Sequence, residues 1–240
     1  MSSEESKTSA ALEPKRLQTP FDRAQLANLK AGDCCLISGP LYTLRDAGHI
    51  RLLEELDGMA SDAPLPYDLD GQAIFYAGPT PAAAGRPFGA VGPTTASRMD
   101  FAAPRLYDRG IAATIGKGKR SAAVHDACKR NGVVYFVATG GAAAYLAKCV
   151  ISSETIAYGD LGTEALRCIR VRDFPVFVGI DAAGQDIYDL EENEPKEIEP
   201  KGSRILFCYF VVVLLLGLVA VGILFRAFDT AFVERDKWMK

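Results

Sequence analysis

The chain has 240 residues, room for one good-sized domain or two small ones, and its 27 Lys and Arg against 30 Asp and Glu leave a formal net charge of −3. That near-neutral balance, with no basic excess gathered on one face, argues against a nucleic-acid surface. The 22 glycines and 13 prolines are too few for a collagen-like or low-complexity chain.

Residues 1–24 are polar and of mixed charge, which predicts a flexible N-terminal arm without the apolar stretch of a secretory signal. The apolar run from Cys34 to Ser38 reads as a buried strand closed by a turn at Gly39-Pro40. Arg45 to Met59 has Ile50, Leu53 and Leu56 at helical spacing, with Asp46 suited to the positive end of the helix dipole. Ala73–Ala77 is a second strand, and Thr80–Thr95 a long loop rich in proline and glycine. Beyond it, Met99–Arg109 is helix-like, 111–115 a strand, Lys119–Arg130 a helix and Val133–Ala138 the clearest strand. A helix begins at Gly140, and strands follow at 149–158, 168–171 and 176–180. This alternation predicts an α/β domain over residues 25–188.

The segment 189–204, DLEENEPKEIEPKGSR, reads as an acidic, self-repelling linker. Ile205–Phe225 has 21 residues without a charge. As a helix it would be about 31 Å long, which matches a hydrocarbon core of about 30 Å and predicts one transmembrane helix. A short basic tail, 226–240, follows. Basic residues flank the span about equally, so they do not set its orientation. The lack of a signal and the unpaired-looking cysteines place the domain on the cytoplasmic face, anchored by a single C-terminal span. Six cysteines show no C-x-x-C and no zinc-like spacing, so the chain is expected to ligate no metal.

Four stretches could carry chemistry. Thr43-Leu-Arg45-Asp-Ala-Gly-His49 puts Arg45 and His49 on one helix face, where both could meet an anion; an ordinary first turn with Arg45 paired to an acid is the alternative. Gly89-Ala-Val-Gly-Pro-Thr94-Thr95-Ala-Ser97-Arg98-Met-Asp100 offers hydroxyls beside a guanidinium, suited to a carboxylate or phosphate, or else an ordinary capped helix. Gly116-Lys117-Gly118 presents a charge at a strand's carboxyl end, where α/β ligands bind, but lacks the phosphate-loop spacing. Thr139-Gly140-Gly141 lacks dinucleotide spacing, and close helix–strand packing explains it better. Together Arg45, Arg98 and Lys117 point to a ligand with two carboxylates. His125 reads as a surface residue.

These residues carry a family resemblance. T-x-R-D-A-x-H at 43–49, Gly78-Pro79, GPTTASRMD at 92–100, GKG at 116–118, Y-F-x-x-x-G-G at 135–141, Gly162-Thr-Glu-Ala and Asp173-Phe-Pro together resemble the β-subunit, or C-terminal domain, of class I iron–sulfur fumarases and L-tartrate dehydratases. The resemblance implies a swivelling β/β/α layered domain that closes over a [4Fe–4S] cluster carried by a partner α-subunit and not ligated by this chain. It also implies a hydro-lyase, active only with that α-subunit in a heterotetramer or larger, in which an iron of the cluster acts as Lewis acid toward the substrate. Carried over by motif, Arg45, Arg98 and Lys117 bind the carboxylates of a small dicarboxylate, fumarate/malate first and tartrate next. Thr94 takes the proton-transfer position, and His49, Thr95 and Asp100 stand behind them. The alternatives are a non-catalytic membrane adaptor that kept the fold and a stand-alone anion-binding module.

Overall fold

The computed structural model describes residues 13–189 apart from 61, 62, 83, 87 and 88. Strand β1 (Lys15–Gln18) lies in the stretch read as an arm and pairs in parallel with β2 (Cys34–Thr43). Helix α1 (Arg23–Ala27) stands between them, capped by the Asp22 side chain. β3 (Ala73–Phe75), β4 (Ala113–Gly116) and β5 (Val134–Val137) continue in parallel from β2. β7 (Leu166–Ile180) runs antiparallel to both β5 and β2, and so joins the two ends of that row. β6 (Val150–Ala157) pairs with β7.

The core is therefore a closed β-barrel, β2–β3–β4–β5–β7 and back to β2, and the layered β/β/α architecture expected from the resemblance is corrected. The physical reason is one long strand. The segments expected as separate strands at 168–171 and 176–180 are a single 15-residue strand, long enough to reach both neighbours. It stays continuous because a bulge absorbs Asp173, at φ +48°, whose N–H donates to Ser38 Oγ at 3.0 Å. β2 likewise runs straight through Gly39-Pro40, which had been read as a turn. Gly39 has φ +115°, and a Cβ there would lie 2.5 Å from Thr19 Oγ1, so only glycine fits.

Alternate strand residues face opposite ways. Ile37, Leu41, Phe75, Ile115, Phe136, Phe174 and Val176 belong to the buried cluster inside the ring. Ile74, Tyr76 and Tyr135 face outward, beneath α2 (Asp46–Asp57), α3 (Ala103–Asp108) and α4 (Ala122–Asn131), which contribute Leu52, Leu106 and Val124. α5 (Ala143–Lys148) sends Leu146 to the inner cluster.

Among the described residues no helix is long and apolar enough to cross a membrane. α2, at 12 residues, would span only about 18 Å. The expected transmembrane helix, 205–225, lies outside the described residues, as do the linker and the tail. The membrane-anchored, cytoplasm-facing topology is thus unsupported and is not carried forward.

Candidate active site

Four parallel strands end at one edge, and the loops leaving their carboxyl ends hold the predicted residues, the usual place for a ligand in such a sheet. Arg45 follows β2 at the N-cap position of α2, with extended backbone. It makes no cap of its own. Glu164, on the 3-10 stretch Gly159–Glu164, accepts from the Ala47 N–H at 2.7 Å and sets a carboxylate at the positive end of the helix. The other Glu164 oxygen lies 3.5 Å from Arg45 Nη2, and Arg45 Nε lies 3.7 Å from Asp46 Oδ2. The guanidinium rests on Gly78, just past β3: a Cβ there would be 2.8 Å from Nη1 and 3.0 Å from the Thr163 carbonyl.

Arg98 reaches the same acid. Its Nε donates to Asp46 Oδ1 at 2.9 Å, and its Nη2 donates to Oδ2, a two-pronged grip. Burial alone would raise the Asp46 carboxyl, but the Arg98 hydrogen bond and the charges of Arg98 and Arg45 hold it below the usual carboxylate range.

Thr94 and Lys117 meet through their backbones. The Thr94 N–H donates to the Tyr76 carbonyl at 2.7 Å, the Lys117 N–H to the Thr94 carbonyl at 3.2 Å, and the Ala96 N–H to the Lys117 carbonyl at 2.9 Å. The chain after the long loop thus lies beside the end of β4 like a short added strand. The exposed Lys117 ammonium donates to Thr95 Oγ1 at 3.2 Å. Thr94 is half-buried and Thr95 exposed.

His49 and Asp100 are not at this rim. His49 is fully buried, its Nδ1 2.9 Å from the Arg45 carbonyl and its ring edge-on to Tyr76 at 5.3 Å. Burial lowers its pKa to about 4, so at neutral pH it is uncharged and shapes the first turn of α2. Asp100 accepts from Arg120 Nε at 2.6 Å and from the Ser121 N–H at 2.7 Å, which engages both of its oxygens within the fold. The structure therefore joins Arg45 to Arg98 through Asp46, and Thr94 and Thr95 to Lys117. His125, read as a surface residue, is partly buried, with Nε2 3.1 Å from Asp186 Oδ2.

Sequence reasoning missed three residues. Asp46 had been read as a helix-dipole residue and as an ordinary ion-pair partner of Arg45, but not as the acid that also binds Arg98. Glu164 lay in the Gly162-Thr-Glu-Ala motif but was given no role, and Arg120 gave no signal, because their partners are distant in the chain.

Beside the cluster opens a cleft of about 400 Å³, lined by Pro79, Thr80, Thr155, Thr163 and Arg167 among others. None of the predicted residues lines it, but it shares Thr163 with the wall under Arg45.

Among the described residues no group of His, Cys, Asp or Glu could hold a metal ion. Cys35 and Cys128 are buried, and burial pushes their thiols up to about 12, far from the thiolate form a metal needs. This donor set does not fit an iron–sulfur cluster.

The model of the fumarase C-terminus family matches residues 2–191. The chain belongs to this family. It is 39% identical over 176 residues to fumarate hydratase 2 of Leishmania major, covering 72% of this chain and 30% of that protein. The anaerobic class I fumarate hydratase of Escherichia coli K12 is 38% identical over 173 residues, 71% of this chain and 31% of that protein. The chain thus spans under a third of these hydratases. It is 33% identical over 185 residues to the β subunit of the L(+)-tartrate dehydratase of Escherichia coli K12, covering 75% of this chain and 88% of that subunit. The named relatives are hydro-lyases.

Proposed function

We propose that this chain is the dicarboxylate-clamping part of a hydro-lyase that adds water to, or removes it from, a C4 dicarboxylate. Residues 25–188 are its working unit. Arg45, Arg98 and Lys117 bind the substrate carboxylates, and Thr94 moves the proton at the carbon beside the hydroxyl-bearing one. A cluster-bearing α partner supplies the rest of the site. The observation that carries this reading is the gathering of Arg45, Arg98, Thr94 and Lys117 at one strand edge of a chain in this family. Three cations suit a dianion.

Thr94 is a weak base on its own, so its alkoxide needs neighbouring positive charge. In this reading Lys117, bonded to the next hydroxyl along, and Arg98, on the following 3-10 turn Ala96–Met99, supply it. The higher identities to fumarate hydratases than to the tartrate dehydratase subunit favour fumarate and malate, with tartrate next. The name of the tartrate dehydratase relative, a β subunit of similar length, supports a separate partner chain.

The test is to purify the full chain with a cluster-bearing α subunit without oxygen and assay fumarate, malate and tartrate. Turnover of one of them is expected. Thr94→Ala should lower kcat by about 100-fold or more while KM stays within about 3-fold. No turnover of any of the three overturns the reading.

A further inference from the structure

The most buried charge near the site has no part in the scheme so far. The Arg120 side chain is 0% exposed, and it packs over two rings, 4.7 Å from the centre of Tyr135 and 5.4 Å from that of Tyr76. Burial alone would lower its pKa, but Tyr76, Tyr107 and Asp100 around it raise it, so it stays charged. A buried ion pair of this kind adds little net stability over an apolar one of the same shape; what it can add is a defined geometry.

That geometry bears on the site. Arg120 Nε holds Asp100, and Nη1 lies 3.3 Å from Thr114 Oγ1 on β4. Asp100 closes the 3-10 turn that carries Arg98, and its second oxygen takes the Ser121 N–H. At the other end of the same stretch, the Thr94 N–H is bound by the carbonyl of Tyr76, whose ring Arg120 covers. One guanidinium therefore contacts what holds Thr94 and what holds Arg98. It lies three residues beyond Lys117.

We propose that Arg120 is a positioning residue: through Asp100 and Tyr76 it fixes both ends of the 94–100 stretch, and so the spacing of the Thr94 hydroxyl and the Arg98 guanidinium. This rests on the hydro-lyase reading for its effect on turnover, but not for its effect on the stretch itself. Lysine keeps the charge but has no planar fork to hold Asp100 while stacking on the rings.

Arg120→Lys and, as a second variant that leaves the cation in place, Asp100→Asn are made in the full chain and read in two ways. The first is hydrogen exchange of the 94–100 amides. Both variants should speed exchange there about 10-fold or more while the β5 amides stay as protected as before. The second is turnover of the complex with the α subunit, where kcat should fall about 10- to 100-fold with KM within about 3-fold, and the double variant should cost no more than the worse single one. Unchanged exchange at 94–100 overturns the proposal whatever the activity, and so does loosening of the stretch with kcat unchanged. If the parent complex turns over none of the three acids while exchange at 94–100 still rises, the hydro-lyase reading falls and the clamp on the stretch stands.

Discussion

Arg98 and Asp46, 52 positions apart in the chain, are joined by a two-pronged ion pair that also draws in Arg45. One carboxylate thus orients two of the three cations assigned to the substrate, and a dianion entering the site must share or displace it. Replacing Asp46 by Asn keeps the shape but removes the charge and one acceptor. KM for the dicarboxylate is expected to rise about 5-fold, because both guanidinium groups lose their common anchor. Thermal melting should change by less than about 1 kcal/mol, since the pair is half-exposed. A KM that falls instead would mean that Asp46 mainly competes with the substrate.

His49 gives the domain a specific response to acid. Burial lowers its folded pKa to about 4, against 6.5 for an ordinary histidine. Between those values the unfolded chain binds a proton that the folded chain refuses, so stability falls as pH drops from 6.5 towards 4. The loss attributable to this one group is about 3 kcal/mol. His49→Gln should be somewhat less stable at pH 7.5 but should show a much flatter melting temperature between pH 6.5 and 4. Parallel pH curves for the two proteins would contradict the assignment.

Gly78 is a floor for Arg45. A methyl group there would meet Nη1 at 2.8 Å and the Thr163 carbonyl at 3.0 Å, so the guanidinium must lift. Gly78→Ala is expected to lower kcat/KM about 10-fold, chiefly through KM, with the melting point little altered. Steady-state kinetics beside a melt separates this from simple unfolding.

Lys117 is exposed, and among the described residues its ammonium bonds only the Thr95 hydroxyl. Lys117→Met should therefore fold normally yet lose about 100-fold or more in kcat/KM, the scale for removing one preorganised donor of charge. Lys117→Arg should recover part of it. A Met variant with full activity would remove Lys117 from the site.

Much of this was open to inspection in the sequence. Val133–Ala138 is β-branched and aromatic enough to be a strand anywhere and forms β5 over Val134–Val137, and the helical spacing of 45–59 is realised as α2. The GPTT and GKG stretches, each a few residues long, lie side by side at the end of β4. What failed was long-range. Gly39-Pro40 reads locally as a turn and 172–175 as a gap between strands, yet both lie inside paired strands, where one bulge takes up Asp173, and the closure of the ring follows from that. His49 carries a reactive side chain in a motif, but Tyr76 and the Arg45 carbonyl enclose it.

By itself the sequence determined residue type and local periodicity: an alternating α/β chain, three cations and a pair of hydroxyls in short glycine-marked stretches, and a donor set with no metal-like spacing. Only the tertiary structure decided which charges share a partner, which of them are buried, and that the sheet closes. Hydrogen bonding between strands and burial of a side chain depend on neighbours brought in from far along the chain. The link from Arg98 to Asp46 and the enclosure of Arg120 have no trace in the spacing of the residues that make them.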